Sequence, residues 1–315
     1  MATVITHAKT AKELNDILSL RFRVLEEAGL RPAQMFQFTR KLVDPIDLYP
    51  NTINVIAYNN AVAVAAIRAS EYSEKEALQN LSYNFFEATE NLKGSCFFID
   101  MLAMLKAYGQ NQMIKKQIFR MILILLARRK VTHGLCLCPE ELIDTLVEIG
   151  FQSLQDPFYS KELGQRLAPM SIKLRDFYAQ FIQNISDQEI IRFQEVFYMS
   201  IFEPGEILVV QGEKGSTAYL IEEGEVEVAV QGATEVLPLS TIGKGNLIGE
   251  IAMVTNEPRT ASLIAKIHTS CISFDRIDFM KLMYAEPHRT MDIFKIFSKR
   301  LKESNRKIAE IQKDL

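Results

Sequence analysis

The chain has 315 residues, 48% of them hydrophobic and 24% charged, with a formal net charge of −3, a profile that suits a globular protein with two ordinary cores. Residues 1–172 carry 19 basic and 18 acidic side chains and residues 173–315 carry 17 and 21, so neither half is a basic body suited to a large nucleic-acid footprint. The longest apolar run, Met121 to Ala127, is far too short to span a bilayer, and no secretory signal is visible at Met1-Ala2-Thr3-Val4.

Residues 11–28 place Leu14, Ile17, Leu18, Phe22 and Leu25 at helical spacing. Residues 53–67 read as a hairpin turning at Asn59-Asn60, because asparagine tolerates the positive φ such a turn needs. A buried strand follows over residues 95–105 and a long amphipathic helix over 112–130. Residues 134–138 form another strand, in which Cys136 and Cys138 share one face as core thiols. Pro139 then starts a helix as an N1 proline, and Gly150 ends it as a C′ glycine. The four cysteines show no metal-ligand spacing and fit a reducing cytoplasm, and the four histidines are scattered; no metal is implied.

The order strand, loop, long helix, strand, helix, then Gly150-Phe151, resembles the acetyltransferase superfamily with its GNAT fold. More narrowly it is similar to the N-acyl amino acid synthases, relatives of acyl-homoserine lactone synthases. The residues that carry the resemblance are Arg21-Phe22-Arg23-Val24, Asp44-Pro45-Ile46-Asp47, Arg68, and Ile149-Gly150-Phe151 followed by Pro169. They are short motifs spread over roughly residues 5–172. The resemblance implies acyl transfer from a thioester, acyl-CoA or acyl-carrier protein, to an amine. Arg23, Asp44, Asp47 and Arg68 would be the charged cluster that orders the amine, with Asp100 the only carboxylate near on the central strand. The bland alternative is a turn at Asp44-Pro45 with solvated arginines.

The donor loop would be Lys106-Ala107-Tyr108-Gly109-Gln110-Asn111, with Lys106 and Gly109 as contacts. It keeps a single glycine, with Asn111 where a small residue is usual; users of acyl-carrier protein depend less on this loop, which favours the acyl-synthase reading. The arginine and glutamate those synthases carry on the central strand appear here as Met101 and Phe98, and the tyrosine of many acetyltransferases as Leu146. Two outcomes therefore stay open: a regulated enzyme, or a non-catalytic domain that binds a partner or a lipid-like ligand.

Residues 176–198 continue with helical periodicity, with Ser186 as an N-cap ahead of Gln188-Glu189. Beyond them, short alternating runs such as Tyr219-Leu220-Ile221 and Val226 to Val230 are separated by glycine turns at Gly205, Gly212 and Gly224, the pattern of a sandwich or roll. The cassette Gly249-Glu250-Ile251-Ala252 and Pro258-Arg259-Thr260-Ala261 comes next. Arginine supplies a permanent charge and a planar fork that matches two phosphate oxygens. Gly249 admits a close ligand, and residues 251–254 begin a short helix whose N–H groups face an anion.

Taken alone, Glu250 and Arg259 would describe a weak surface ion pair; the glycine-turned strands upstream favour a ligand site. Together these features resemble the cyclic-nucleotide-binding domain family. The resemblance implies a ribose-binding Glu250, a phosphate-binding Arg259, and main-chain or small-side-chain contacts from Ile251, Ala252, Thr260 and Ala261. The ligand would be cAMP or cGMP; Thr260 suits either base, and the reading inclines to cAMP. Asn246 and Ile248 depart mildly from the family pattern.

Phe294, Leu301, Ile308 and Leu315 fall seven apart, so residues 291–315 read as a helix. It would form a homodimeric coil, cap the pocket, or pack on its own domain. With Leu315 as the last residue, no helix-turn-helix follows, which points away from a transcription regulator. The expected fold is α+β: a GNAT-like mixed sandwich over residues 1–172, a helical linker over 173–200, and a β-roll with a long helix over 201–315.

Overall fold

The computed structural model describes residues 2–30, 40–71, 94–161, 164–183, 197–231 and 236–277, with isolated positions 83, 85, 92, 280, 298 and 302. The chain divides into two compact units, residues 1–181 with 199–201, and residues 182–198 with 202–315.

The first unit begins with β1 (Thr3–His7), α1 (Ala11–Glu27), β2 (Ile53–Asn59), β3 (Val62–Glu71) and β4 (Cys96–Met104). It continues with α2 (Gln112–Arg128), β5 (His133–Pro139), α3 (Ile143–Ile149), β6 (Gln152–Ser153), β7 (Phe158–Ser160), β8 (Gln165–Lys173) and α4 (Leu174–Gln183). The strand order is β1-β2-β3-β4-β5-β8-β6, with β7 on β8. Met199, Ser200 and Ile201 of β9 (Tyr198–Phe202) pair with the free edge of β1.

Among the described strand pairs of this unit only β4 and β5 run parallel, side by side over Cys96–Phe98 and His133–Leu135. Beyond Phe98, β4 continues along β3 while β5 continues along β8, so the two strands part and leave a notch in the sheet. On β4 the ladder slips by one residue opposite Ile67, and Met101 takes a φ of 52°, as at a β-bulge.

Local chemistry sets the helices. Thr10 and Glu13 form a reciprocal capping box at the start of α1, with N–H···O distances of 3.2 and 2.8 Å. Asn111 caps α2 by accepting the Ile114 N–H at 3.0 Å. Gly150 ends α3 at a φ of 114°, donating to the Leu146 and Val147 carbonyls. β3 is buried at six successive positions, Val64 to Ala69, because α1 and α2 both pack on it and cover its two faces.

Two local expectations are corrected. The hairpin turns at Asn60-Ala61, with φ of 50° and 61°, rather than at Asn59-Asn60. A bulge at Ala57/Tyr58 shifts the register, so Asn59 pairs with Val62. Pro139 does not start a helix; it is the last residue of β5, paired with Leu167, and a 3₁₀ turn over Glu140–Leu142 precedes α3. An extended φ/ψ of −56°/143° lets the proline finish a strand, where its missing N–H costs little.

In the second unit, β10 (Ile207–Val209), β15 (Ser262–Ala265), β12 (Glu225–Gln231) and β13 (Val236–Gly243) form an antiparallel sheet in that order. β14 (Leu247–Ile248), β11 (Thr217–Glu223) and β16 (Thr269–Asp275) pair antiparallel alongside one another. The short α5 (Glu250–Thr255) lies between β14 and β15 in sequence. Gly224 turns β11 into β12 at a φ of 107°, where a Cβ would come within 2.6 Å of the Thr269 main chain; no larger residue fits there. Alternating residues such as Leu208, Leu220, Val226, Leu263 and Phe274 fill the interior.

α4 realises the start of the helical linker, with Phe177 and Phe181 stacked at 6.0 Å. Residues 184–196 of that linker, Ser186 included, lie outside the described residues, but its end is not helical: Tyr198 opens strand β9, whose edge pairing with β1 holds it extended. The heptad stretch 291–315 lies outside the described residues apart from positions 298 and 302. No helix among the described residues is long and apolar enough to cross a membrane, and no group of three or more His, Cys, Asp or Glu among them is placed to hold a metal ion. Cys136 and Cys138 are buried free thiols, and burial pushes the Cys138 thiol up to about 12.

Candidate functional site

The first unit holds a buried charge cluster on one face of its sheet. Strand register makes Asn54, Arg68 and Asp100 direct cross-strand neighbours on β2, β3 and β4. Arg68 is 1% exposed and grips Asp100 with both arms of its fork, Nε to Oδ1 at 2.8 Å and Nη2 to Oδ2 at 2.6 Å. Its Nη1 also reaches Asp44 at 3.0 Å and Asp47 at 3.4 Å. Asp44 accepts the Ile46 N–H and caps the 3₁₀ turn Pro45–Leu48, which swings Asp47 into the interior. The turn and the cluster are therefore one feature rather than alternatives.

The second arginine of the cluster is Arg21, not Arg23. Arg21 is 3% exposed and donates to Asp47 at 2.6 Å and to Asn54 at 3.3 Å. Arg23 points outward from α1 and pairs with Glu27 at 3.2 Å. Three carboxylates thus face two guanidiniums. Burial pushes the Asp100 carboxyl up, against the pull of Arg68.

At the loop before α2, Lys106–Tyr108 is a 3₁₀ turn and Gly109 has an ordinary φ of −57°. The Lys106 N–H donates to the Glu27 carboxylate at 2.9 Å. Met101 and Phe98 stand near Asp100 on β4 without adding charge, and Leu146 is fully buried.

In the second unit, the cassette surrounds an open pocket of about 170 Å³. Gly249 takes a φ of 74° as the N-cap of α5, and Glu250 opens the helix. Every cassette residue singled out by the sequence, from Gly249, Glu250, Ile251 and Ala252 to Arg259, Thr260 and Ala261, lines this pocket. Val209, Val228, Ile242 and Leu263 supply an apolar wall opposite.

Glu250 and Arg259 are 8% and 6% exposed. Arg259 donates from Nη1 to the Gly249 carbonyl at 2.5 Å and from Nη2 to the Thr217 carbonyl at 2.6 Å. Its main chain is strapped to the preceding loop through Glu213 and Gly212, both at 2.9 Å. A guanidinium has five N–H donors, so this arrangement leaves three for an anion. Burial holds the Arg259 guanidinium somewhat below its usual range, countered by Tyr219 and Glu250; it stays cationic near neutrality. A fixed cation, a neighbouring carboxylate and an apolar wall can take a molecule that is at once anion, sugar and base.

Residues 200–286 match the sequence profile of the cyclic nucleotide-binding domain. This segment is a cyclic nucleotide-binding domain. The cGMP-dependent protein kinase egl-4 of Caenorhabditis elegans is 32% identical over 104 residues, 32% of this chain and 13% of that protein. The cAMP-dependent protein kinase regulatory subunit of Dictyostelium discoideum is 31% identical over 130 residues, 37% of this chain and 38% of that protein. This chain therefore spans well under half the length of either relative. Among solved structures, the catabolite activator protein of Thermus thermophilus superposes with a TM-score of 0.36 at 21% identity, over 42% of this chain and 62% of that one.

The nucleotide-binding domain also uses a residue that sequence reasoning missed. A Cβ on Gly215 would lie 2.1 Å from Arg259 Nε and 2.4 Å from its Cζ. The guanidinium packs on bare backbone there, and only the residue type hinted at it. Gly215→Ala therefore displaces the tip of Arg259 with little strain elsewhere. We expect cyclic-nucleotide affinity to fall about tenfold, the scale of one misplaced charged hydrogen bond, with the unfolding midpoint nearly unchanged. Titration calorimetry beside a melting curve checks both halves.

Proposed function

We propose that the chain is a cyclic-nucleotide sensor, with cAMP as its ligand, that regulates N-acyl transfer from a thioester donor in its first unit. For the sensor, the carrying observation is the convergence of Glu250 and Arg259 on one pocket with an apolar wall. Arg259 would bind the cyclic phosphate and Glu250 a ribose hydroxyl, with the base on Val209, Val228, Ile242 and Leu263. Both a cAMP-dependent and a cGMP-dependent kinase name occur among the similar proteins; the apolar wall supports adenine, which has less polar edge to satisfy.

For the first unit, the carrying observation is the Asn54-Arg68-Asp100 row beside the notch where β4 and β5 part. Such a notch exposes main-chain groups of β4 to an extended donor arm, which supports a GNAT-like acyltransferase reading of residues 1–172. Asp100 would take the amine proton as the nitrogen attacks the thioester carbonyl. The C–S bond then breaks and the thiol leaves with a proton. Burial of Asp100 supports that role, since a raised carboxyl pKa brings a base nearer working pH. At the donor loop Asn111 already takes one α2 N–H, and Glu27 places a carboxylate on the Lys106 amide. Both disfavour a free diphosphate and support acyl-carrier protein over acyl-CoA.

One observation favours a second reading, a non-catalytic domain that binds a partner: Arg68 is already shared among three carboxylates. The two readings separate on thiol release and N-acyl product from acyl-carrier protein or acyl-CoA with amino acids. We expect turnover whose rate differs roughly 5- to 150-fold with and without cAMP. No transfer under either condition would leave the binding-domain reading.

A further inference from the structure

We infer that Asp275 is a positioning residue for the anion-binding arginine, acting through Thr217, and that the same carboxylate ties Tyr198 to that arrangement. The inference rests on the reading of Arg259 as the phosphate ligand. The Arg259 guanidinium donates to two main-chain carbonyls, with the Glu250 carboxylate acting on its charge. Its hydrogen-bonded orientation therefore comes from two neutral carbonyls. Gly249 presents one carbonyl from a left-handed turn. Thr217 presents the other, so whatever fixes Thr217 aims the guanidinium.

Asp275 fixes Thr217. Its Oδ1 accepts the Thr217 hydroxyl at 3.0 Å, and the two residues are the last register pair of β11 and β16. Next door, the Arg276 N–H donates to the Ser216 carbonyl at 2.7 Å. The Thr217 peptide is thus held through its side chain and through its neighbour, with the carbonyl directed at Arg259 Nη2 2.6 Å away. The same Oδ1 also accepts the Tyr198 hydroxyl at 3.3 Å. Burial, with the charge of Asp275 adding to it, pushes the Tyr198 phenol up, so it stays a donor across ordinary pH. Both donors share that one oxygen, so a pull on Thr217 that moves the carboxylate is felt at Tyr198. Tyr198 is the first residue of β9, directly before the three residues that pair with β1. Nucleotide occupancy at Arg259 is therefore legible at the start of β9.

Calorimetry of the full chain with cAMP tests the chain of contacts. Asp275→Ala should weaken binding about tenfold, the scale of losing one charge-assisted hydrogen bond, and Thr217→Val should do the same while leaving every ladder bond in place. Asp275→Asn keeps an acceptor oxygen and should retain most of the affinity. In an Arg259→Ala background, Asp275→Ala should cost nothing further. A 3-fluorotyrosine-labelled chain, with the Tyr198 signal assigned through Tyr198→Phe, should show a cAMP-dependent 19F shift that Thr217→Val abolishes. If Arg259→Ala loses binding but Thr217→Val and Asp275→Ala bind as the parent does, or add their losses to that of Arg259→Ala, the positioning role is overturned and the pocket stands. If Arg259→Ala itself binds normally, the phosphate reading fails and takes the inference with it.

Discussion

Arg259→Ala should lower cyclic-nucleotide affinity by about 2–4 kcal/mol, roughly 30- to 1000-fold, the range for removing a charged group that makes several hydrogen bonds to its partner. The side chain gives two donors to the Gly249 and Thr217 carbonyls and keeps three free. The main-chain bonds of residue 259 to Gly212 and Glu213 do not depend on the side chain, so fold stability should change far less than affinity. Arg259→Lys should fall between the two, because an ammonium keeps the charge but not the fork. Parallel calorimetric titrations and melting curves check the pair of outcomes. Equal affinity in the parent and Arg259→Ala would place the phosphate elsewhere.

Arg68→Ala should destabilise the first unit by about 3–5 kcal/mol, as breaking a buried ion pair from one side does. It would leave Asp44, Asp47 and Asp100 facing each other with Arg21 as the remaining guanidinium. Without the pull of Arg68, burial would hold the native Asp100 carboxyl further above its unfolded value. Stability tied to such groups is present below the unfolded pKa and is lost as pH rises through the native one. The deficit should therefore be largest near neutrality and shrink towards pH 4–5 (about where free carboxylates titrate). Urea unfolding of parent and variant at two pH values measures it, and a deficit independent of pH would contradict the cluster's electrostatic role. The same substitution should abolish any acyl transfer, since Arg68 holds Asp100 by both oxygens.

The nucleotide pocket was legible because its polar residues lie within thirteen positions, from Gly249 to Ala261, and a turn plus a short helix brings them together locally. What escaped was set by long-range register. Gly215 matters only because Arg259 packs against it. Thr217 and Asp275 meet only because β11 and β16 pair. In the first unit, Gly150 announced a helix end because a glycine takes the positive φ a helix stop needs.

Arg21 was within reach of the sequence. It falls four residues after Ile17 and three after Leu18, on the apolar face of α1, whereas Arg23 does not. The hairpin turn was displaced because Ala61 gives no sign of a positive φ and a bulge in β2 moves the register. The partnership of Arg68 with Asp100 depends on the β3–β4 pairing, across 32 residues of chain.

The central claim is that the pocket between α5 and Arg259 takes a cyclic nucleotide. Titration calorimetry of the full chain with cAMP, with 5′-AMP as the open-phosphate control, tests it most directly. The account predicts saturable binding at one site per chain for cAMP and markedly weaker binding for 5′-AMP. Absence of saturable binding by both cAMP and cGMP, or equal binding of 5′-AMP, would contradict it.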